Sequence, residues 1–271
     1  MKKLIFALAM GVLSLCACAQ TEFTQFPESF EGTRPNELTD ANNLKPFFNK
    51  ILCGQNVEVM QIGDSHVRGL TLPRTLGARL KELFPADGEG EGASLISFHY
   101  NGINGARVPR YCAPELIDSV SIHNPDLIIV SFGTNEAHET YFSETRHKHN
   151  LDSLVSLLRE ACPRAVFLLT TPPGSHVAKV KKGPKVPQPM TENVTTAIRD
   201  FAATDACAVW DLWHIAGGYP TACDNWRRAG LMRPDLIHYQ PEGYRIQARL
   251  CAEAIFKAYK EYEGQMMKPA Q

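Results

Sequence analysis

Apolar runs of strand length alternate along the chain with segments of helical periodicity. The predicted strands are residues 57–62, 95–99, 127–132, 165–170 and 208–212. The predicted helices are residues 72–84, 114–121, 144–161, 191–203 and 241–262. In the third helix, Leu151, Leu154, Leu157 and Leu158 recur at helical spacing, which predicts a core-facing stripe. The alternation predicts a flavodoxin-like three-layer α/β/α sandwich around a five-stranded parallel sheet.

Polar residues follow the first predicted strand without an intervening loop. The segment Gly63-Asp64-Ser65-His66 lacks the glycines and lysine of a phosphate-binding loop. Two interpretations remain for these four residues. They form an ordinary turn, for which Gly, Asp and Ser are suited, or they display Ser65 as a nucleophile at the carboxyl end of a central strand, where ligands bind in such sheets.

A base and an orienting acid for such a serine are present near the end of the chain. In "RPDLIHYQPEGY", Asp235 lies three residues before His238 and just ahead of the last predicted helix. We predict that His238 accepts the proton of Ser65 and that Asp235 holds the imidazole. The alternative for this segment is a surface turn, but its position before the last helix favours the catalytic interpretation.

Two further strand ends carry candidate donors for a developing oxyanion. Gly105 lies in "NGINGAR", where a glycine permits close approach of the backbone. Asn135 lies in "SFGTNEAH" and offers a neutral side-chain amide. We predict an oxyanion hole formed by the N–H groups of Ser65 and Gly105 and the amide of Asn135.

The segments "IGDSH", "NGINGA", "GTNE" and "DLIHY" occur in this order between residues 57 and 252. They resemble the four blocks of the SGNH hydrolases, also called the GDSL esterase/lipase family. The resemblance implies serine ester hydrolysis with Ser65, Asp235 and His238 as catalytic residues and with no metal or organic cofactor. The sequence lacks G-x-S-x-G, which argues against an ordinary α/β-hydrolase.

Finer features are similar to the peptidoglycan O-acetylesterases of Gram-negative bacteria. They are His66, Glu136, Trp226 and the segment "PEGYRIQARL". The resemblance implies an acetylated glycan as substrate, with peptidoglycan as the first candidate. The alternatives are deacetylation of acetylxylan or another polysaccharide, a lysophospholipase-type lipase, an acyltransferase and a non-catalytic glycan-binding protein. His66 and Glu136 either shape the acyl pocket or support the turns around the site.

The N-terminus predicts export. Two lysines precede the apolar residues 4–15, so residues 1–19 are predicted as a signal peptide, residues 20–43 as a polar leader and residues 44–265 as the hydrolase domain. Cleavage after Ala19 would give a free periplasmic protein, whereas lipidation of Cys18, or of Cys16 in a poorer motif, would anchor it at the outer membrane. No second apolar run reaches membrane length, so any membrane contact is through this terminus.

Charge and cysteine spacing give no indication of nucleic-acid binding or of a metal site. The formal net charge of -1 gives no indication of a nucleic-acid-binding domain, which would carry a basic face. The six cysteines after residue 19 form no C-x-x-C pair, so we predict no metal site and assign no disulfides. His147 and His149 are interpreted as part of a solvated helix face. The lysine-rich segment 174–189 is a solvated loop or, if it has a role, an element that contacts a polyanionic or carboxylate-bearing substrate.

Overall fold

The computed structural model describes residues 22–86, 92–178 and 183–268. The predicted signal peptide, with Cys16 and Cys18, lies outside these residues. None of the helices in the three described segments combines the length and the apolar character needed to cross a membrane.

The core of the fold is one mixed sheet. Its strands are β1 (Leu38–Thr39), β2 (Val57–Gly63), β3 (Ile96–Gly102), β4 (Leu127–Ser131), β5 (Val166–Thr170) and β8 (Ala208–Trp210), while β6 (His176–Ala178) and β7 (Lys185–Pro187) form a separate hairpin. The order is β1-β8-β5-β4-β2-β3, and all neighbours are parallel except β1 and β8. The predicted α/β class is confirmed, but the sheet has six strands rather than five. Strand β1 has only two residues, too few to produce a hydrophobic pattern.

Ten α-helices are assigned in the described segments. They are α1 (Lys45–Leu52), α2 (Ser65–Arg68), α3 (Thr71–Leu83), α4 (Pro114–Ser121), α5 (Thr134–Ala137), α6 (Glu144–Ala161), α7 (Met190–Thr204), α8 (Leu212–Ile215), α9 (Thr221–Arg228) and α10 (Pro241–Met266). Two 3₁₀ helices occupy Ala41–Leu44 and Val108–Cys112. The predicted bounds of α4 and α6 agree with the structure, and α10 extends beyond residue 262 to Met266.

The strands direct alternate side chains into two hydrophobic clusters. Val57 and Val59 of β2 pack with helices α1, α3, α9 and α10, whereas Met60 and Ile62 pack with α4, α6 and α7. This alternation follows from the two-residue period of a strand. Helices therefore cover both faces of the sheet.

Helix α6 corrects one detail of the sequence analysis. Leu151, Leu154 and Leu158 are buried, and each such leucine stabilises the fold by roughly 1.5–3 kcal/mol relative to an exposed one. Leu157, predicted in the same stripe, is 36% exposed, and Val155 is buried instead. A period of 3.6 residues places positions 151, 154, 155 and 158 on one face and turns 157 away from it.

The leader is joined to the last helix by hydrogen bonds. The backbone N–H and hydroxyl of Thr24 donate to the Glu253 carboxylate at 2.8 and 3.0 Å, and Arg79 Nη2 lies 2.8 Å from the same group. Glu253 is fully buried, so these donors offset the cost of removing its charge from water. The polar leader is thus part of the packed structure from Thr24 onward.

The strand order also locates a crevice. The chain starts the parallel part at β2, adds β3 on one side, and then builds β4, β5 and β8 on the other. This is the flavodoxin-like order, in which later strands are added on the opposite side of the sheet, so that a switch point lies between the parallel strands β2 and β4. The residues after these two strands, Asp64-Ser65 and Gly133 to Asn135, therefore lie where ligands bind in such sheets.

Candidate active site

Close contacts at the strand ends fix the position of Ser65. This residue begins α2 immediately after β2 and Asp64, whose Oδ1 accepts the N–H of His66 at 2.9 Å. A Cβ on Gly63 would lie 2.6 Å from the Ser131 carbonyl oxygen, and one on Gly102 would lie 2.2 Å from the Arg68 nitrogen. Both positions require glycine because any side chain would push α2 away from the sheet.

Ser65, His238 and Asp235 form a continuous hydrogen-bonded relay. The Oγ atom of Ser65 lies 2.9 Å from Nε2 of His238, and Nδ1 of His238 lies 2.9 Å from Oδ2 of Asp235. These separations are within the range for a nucleophile, its base and an orienting acid. The arrangement can transfer a proton from the serine hydroxyl to the imidazole while the carboxylate holds the opposite ring nitrogen.

The tight turn around Asp235 keeps its carboxylate ionised. Asp235 Oδ1 accepts the N–H groups of Ile237 and His238, each at 2.9 Å. Partial burial opposes ionisation, but these two hydrogen bonds and the contact with the His238 ring outweigh it and lower the pKa of Asp235 to about 2. Leu236, which lies between the two residues in the sequence, adopts a left-handed φ of 54° within this turn.

The predicted oxyanion donors lie around the same strand ends. Neither the N–H of Ser65 nor that of Gly105 donates to another residue in the described part of the chain. Gly105 has a φ of +69°, and a Cβ there would meet no atom within 4 Å. Its conformation, rather than the close approach we predicted, therefore explains the glycine.

Asn135 connects two of these elements. Its Nδ2 donates to the carbonyl oxygen of Ala106 at 3.0 Å and lies 3.3 Å from Oδ2 of Asp64. The side chain thus joins the residue after Gly105 to the residue before Ser65. Because both amide hydrogens have acceptors within the protein, an oxyanion would have to replace or share one of them.

Glu136 supports the backbone of the site. It is 3% exposed, and its two carboxylate oxygens accept the N–H groups of Val108 at 2.9 Å and Gly133 at 3.1 Å. Burial is the main reason why its pKa rises to about 7, although these hydrogen bonds act in the opposite direction. Of the two roles considered from the sequence, support of the turns agrees with these contacts, since Glu136 holds the loop after Gly105 against α5.

His66 also faces inward. Its Nδ1 lies 3.0 Å from the hydroxyl of Tyr244, and its ring centroid lies 5.4 Å from that of His238. Burial and the neighbouring His238 lower the pKa of His66 to about 3, so the ring is neutral. The contact joins the first residues of α2 to α10.

A second aspartate–histidine pair has the same sequence spacing as the first. In "DLWHI", directly after β8, Asp211 precedes His214 by three residues, and neither residue is among the candidates predicted from the sequence. Asp211 Oδ2 lies 2.7 Å from His214 Nδ1, but His214 Nε2 lies 3.1 Å from Oε1 of Glu192. The second ring nitrogen therefore faces a carboxylate rather than a hydroxyl.

Other candidate ligands do not form a centre. The described residues contain no group of three or more His, Cys, Asp or Glu side chains arranged to hold a metal ion. Cys53, Cys112, Cys162, Cys207, Cys223 and Cys251 are all free thiols. His147 is buried, and burial lowers its pKa to about 4, so the interpretation of a solvated face was wrong for this residue.

Part of segment 174–189 contacts the turn that carries Asp235 and His238. The N–H of His176 donates to the carbonyl oxygen of Leu236 at 2.8 Å, and the Lys185 ammonium donates to that of Asp235. The other three lysines of the segment lie outside the described residues. The contacts of β6 and β7 therefore support the predicted catalytic turn.

The chain is similar to one known protein family. The profile of the GDSL-like Lipase/Acylhydrolase family matches residues 62–246, more than half of the 271-residue chain. Comparison with curated proteins gives no significant match.

Several solved structures share the fold. One is a peptidoglycan O-acetylesterase with 18% identity, a TM-score of 0.69, and coverage of 83% of this chain and 99% of that chain. The acetylxylan esterase Axe2 from Geobacillus stearothermophilus, solved as a catalytic mutant, has 18% identity and a TM-score of 0.53, with coverage of 74% and 95%. A lipase/acylhydrolase from Enterococcus faecalis has 19% identity and a TM-score of 0.52, with coverage of 79% and 99%.

The family match spans the nucleophile segment, both oxyanion segments and the Asp235–His238 turn. The solved relatives independently show the same three-layer fold. The chain belongs to the GDSL-like lipase/acylhydrolase family, within the SGNH hydrolases, and is a serine ester hydrolase.

Proposed function

We propose that this protein is an exported esterase that removes O-acetyl groups from a carbohydrate through an acetyl-enzyme on Ser65. The observation that carries the proposal is the relay from Ser65 Oγ through His238 to Asp235, with 2.9 Å at each step. It lies at the switch point of the sheet, beside two N–H groups without acceptors in the described part of the chain.

The reaction proceeds in two stages. Ser65 Oγ attacks the acetyl carbonyl while His238 Nε2 takes the hydroxyl proton, and the N–H groups of Ser65 and Gly105 donate hydrogen bonds to the oxyanion. His238 then gives the proton to the sugar oxygen as the bond between that oxygen and the acetyl carbon breaks, which leaves the acetyl group bound to Ser65 Oγ as an ester. Water attacks this ester while His238 takes a proton from it. The bond to Ser65 Oγ breaks as His238 returns that proton to Oγ, and acetate and free Ser65 result.

Asn135 would contribute the third donor. Of the two hydrogen bonds that its Nδ2 donates, the one to Asp64 at 3.3 Å is longer and weaker than the one to Ala106 at 3.0 Å. Redirecting the first hydrogen to the oxyanion therefore costs less free energy than redirecting the second. Loss of one oxyanion donor costs about 3–4 kcal/mol of transition-state stabilisation in comparable sites.

The choice of an acetylated carbohydrate rests on the relatives. A peptidoglycan O-acetylesterase and acetylxylan esterases, including Axe2, share the fold, and both activities remove acetyl groups from polysaccharides. Peptidoglycan is our first candidate because the predicted signal peptide would bring the enzyme to the periplasm, free or anchored through Cys18. Acetylxylan or another polysaccharide is the second candidate.

Release of acetate from O-acetylated peptidoglycan by the purified protein tests the proposal, with Ser65→Ala as the matched inactive variant. Acetate from the wild type alone is the expected result. If the wild type cleaves para-nitrophenyl acetate but releases no acetate from peptidoglycan, the serine chemistry stands and acetylxylan becomes the next substrate. If it cleaves neither ester, the proposed activity is wrong.

A further inference from the structure

A large open cleft adjoins the predicted oxyanion hole. It has a volume of about 1000 Å³, and Gly105 and Asn135 form part of its wall. Its size exceeds what an acetyl group needs and suits one or more sugar rings. The remaining charged and aromatic members of its wall include Arg107, Arg110, Glu139, Tyr141 and Arg146.

Positive charge predominates in this wall. Arg107 Nη1 and Arg146 Nη2 each lie 2.5 Å from a different oxygen of Glu139, so one carboxylate balances two guanidinium groups. Arg110 is exposed and forms no ion pair or side-chain hydrogen bond with any described residue. The three arginines and Glu139 together carry a formal charge of +2.

Glu136 reduces this charge only in part. Its carboxyl is buried, and both oxygens accept backbone N–H groups rather than facing the arginines. Because no described residue accepts a hydrogen bond from the Arg110 guanidinium, all its N–H groups are available to a ligand. A planar guanidinium can donate two parallel hydrogen bonds to the two oxygens of a carboxylate.

An exposed aromatic ring completes the surface. Tyr141 is 83% exposed, the largest exposure among the large hydrophobic residues of the described segments. Its backbone carbonyl oxygen accepts a hydrogen bond from Arg146 Nη2 at 2.6 Å, which joins the backbone at Tyr141 to the charged wall. A flat amphipathic side chain beside guanidinium groups is suited to contact with a sugar ring that carries a charged substituent.

We propose that the cleft binds the alcohol part of the substrate and selects acetylated saccharides that carry a carboxylate. The inference rests on the proposed carbohydrate esterase function and adds the substrate's charge. A single carboxylate fits better than a doubly charged phosphate, because Glu139 stands between two of the arginines and repels a second negative charge.

A matched pair of substrates tests the inference. Methyl glucuronosides with one O-acetyl group are compared with the corresponding uronamides, which replace the carboxylate by a neutral amide of nearly the same shape. We expect kcat/KM for the acid to exceed that for the amide by about tenfold, the effect of one charge-assisted hydrogen bond. The preference should decrease as salt is added, because the arginines are exposed.

Variants assign the preference to the cleft. Arg110→Gln should reduce the acid-to-amide ratio about fivefold or more. Glu139→Gln should raise the ratio, since it releases the charge of Arg107 and Arg146. Arg249→Gln, at an exposed position of α10 that does not line the cleft, is the matched control and should leave the ratio unchanged. Using the ratio of the two rates cancels any general loss of activity.

Each outcome decides between the two proposals. Hydrolysis of acid and amide at equal rates overturns the inference and leaves the carbohydrate esterase function in place. An acid-to-amide ratio of kcat/KM that is unchanged in both Arg110→Gln and Glu139→Gln also overturns the inference, because the selectivity for the acid would then arise outside the cleft. Hydrolysis of para-nitrophenyl acetate without turnover of either saccharide overturns the inference, whereas the release of acetate from peptidoglycan or acetylxylan decides the proposed function separately.

Discussion

Two aspartate–histidine pairs in this protein share a sequence pattern but differ in what they face. Asp235–His238 and Asp211–His214 both read D-L-x-H, and in each pair a carboxylate oxygen lies within 2.9 Å of Nδ1 and another accepts the histidine N–H. The difference is at the opposite ring nitrogen. His238 Nε2 faces the Ser65 hydroxyl, whereas His214 Nε2 faces the carboxylate of Glu192.

The difference suits His238 to act as a base and His214 to form an ion pair. The hydrogen bond to Asp211 is the main cause that raises the pKa of His214, and Glu192 adds to it while burial opposes it, so the protein favours the charged ring more than water does. A protonated imidazole between two carboxylates has no lone pair with which to accept a proton. The two pairs therefore differ in the group opposite the second ring nitrogen and not in the D-x-x-H spacing, and the proposed mechanism assigns the role of base to His238 on this difference.

The largest expected effect comes from replacing the two histidines in parallel. His238→Gln should lower kcat for para-nitrophenyl acetate by about 10⁴-fold or more, because a serine without its base is a poor nucleophile. His214→Gln should change kcat less than about threefold, since its ring contacts no reacting group.

Purified variants with unchanged near-ultraviolet circular dichroism give the clean comparison. Comparable losses of kcat in both variants would contradict the separation of roles. Loss only in His214→Gln would move the base from His238 to the second pair.

The two aspartates sharpen the comparison at a smaller scale. Asp235→Asn keeps the oxygen that accepts the Ile237 and His238 N–H groups but removes the charge that stabilises the imidazolium, so kcat should decrease by about 10²- to 10⁴-fold. Asp211→Asn should leave kcat within a few-fold. Steady-state kinetics of the two variants checks this, and a normal rate in Asp235→Asn would show that Asp235 is not the orienting acid.

Much of the sheet could be predicted because its central strands are long and apolar. The predicted strand 127–132 corresponds to β4, whose four residues from Leu127 to Val130 are all buried. Strand β1 and helix α9 could not be predicted in this way. The first pairs only Leu38 and Thr39 with β8, and the second, "TACDNWRR", is mostly polar although it buries Trp226 against the rings of Phe30 and Tyr239.

The site was predictable as far as residues near in sequence determine it. The turn around Asp235 is local, so its spacing indicated the contact with His238. The approach of His238 to Ser65 spans 173 positions, and only the strand order brings the two together. The same limit explains why Asp211–His214 was overlooked, since the sequence does not show that Glu192, on α7, occupies the place that Ser65 takes in the other pair.

Glu192 offers a direct way to disturb the ion pair. Glu192→Gln keeps an acceptor for the Trp213 indole N–H, now at 2.6 Å, but removes the second negative charge beside His214. We expect the free energy of unfolding to decrease by about 1 kcal/mol, as for other partly exposed ion pairs, with no change in kcat. Urea denaturation measures the first quantity, and unaltered stability would show that Glu192 does not stabilise the charged ring.

The smallest effect is the pH dependence of the same pair. The pKa of His214 is higher in the folded state than in the unfolded chain, where it is about 6.5. The charged ring therefore contributes fully to the free energy of unfolding below about pH 6.5, and this contribution is lost as pH rises through the pKa of the folded state. The stability difference between the wild type and His214→Gln should therefore be on the order of 1 kcal/mol at about pH 5.5 and smaller at about pH 8.5. In an Asp211→Asn background the pH-dependent part should shrink, since Asp211 is the main source of the raised pKa. A difference that stays constant with pH in the wild-type background would mean that the charged form of His214 gives the fold no stability, and the contrast with His238 would then rest on position alone.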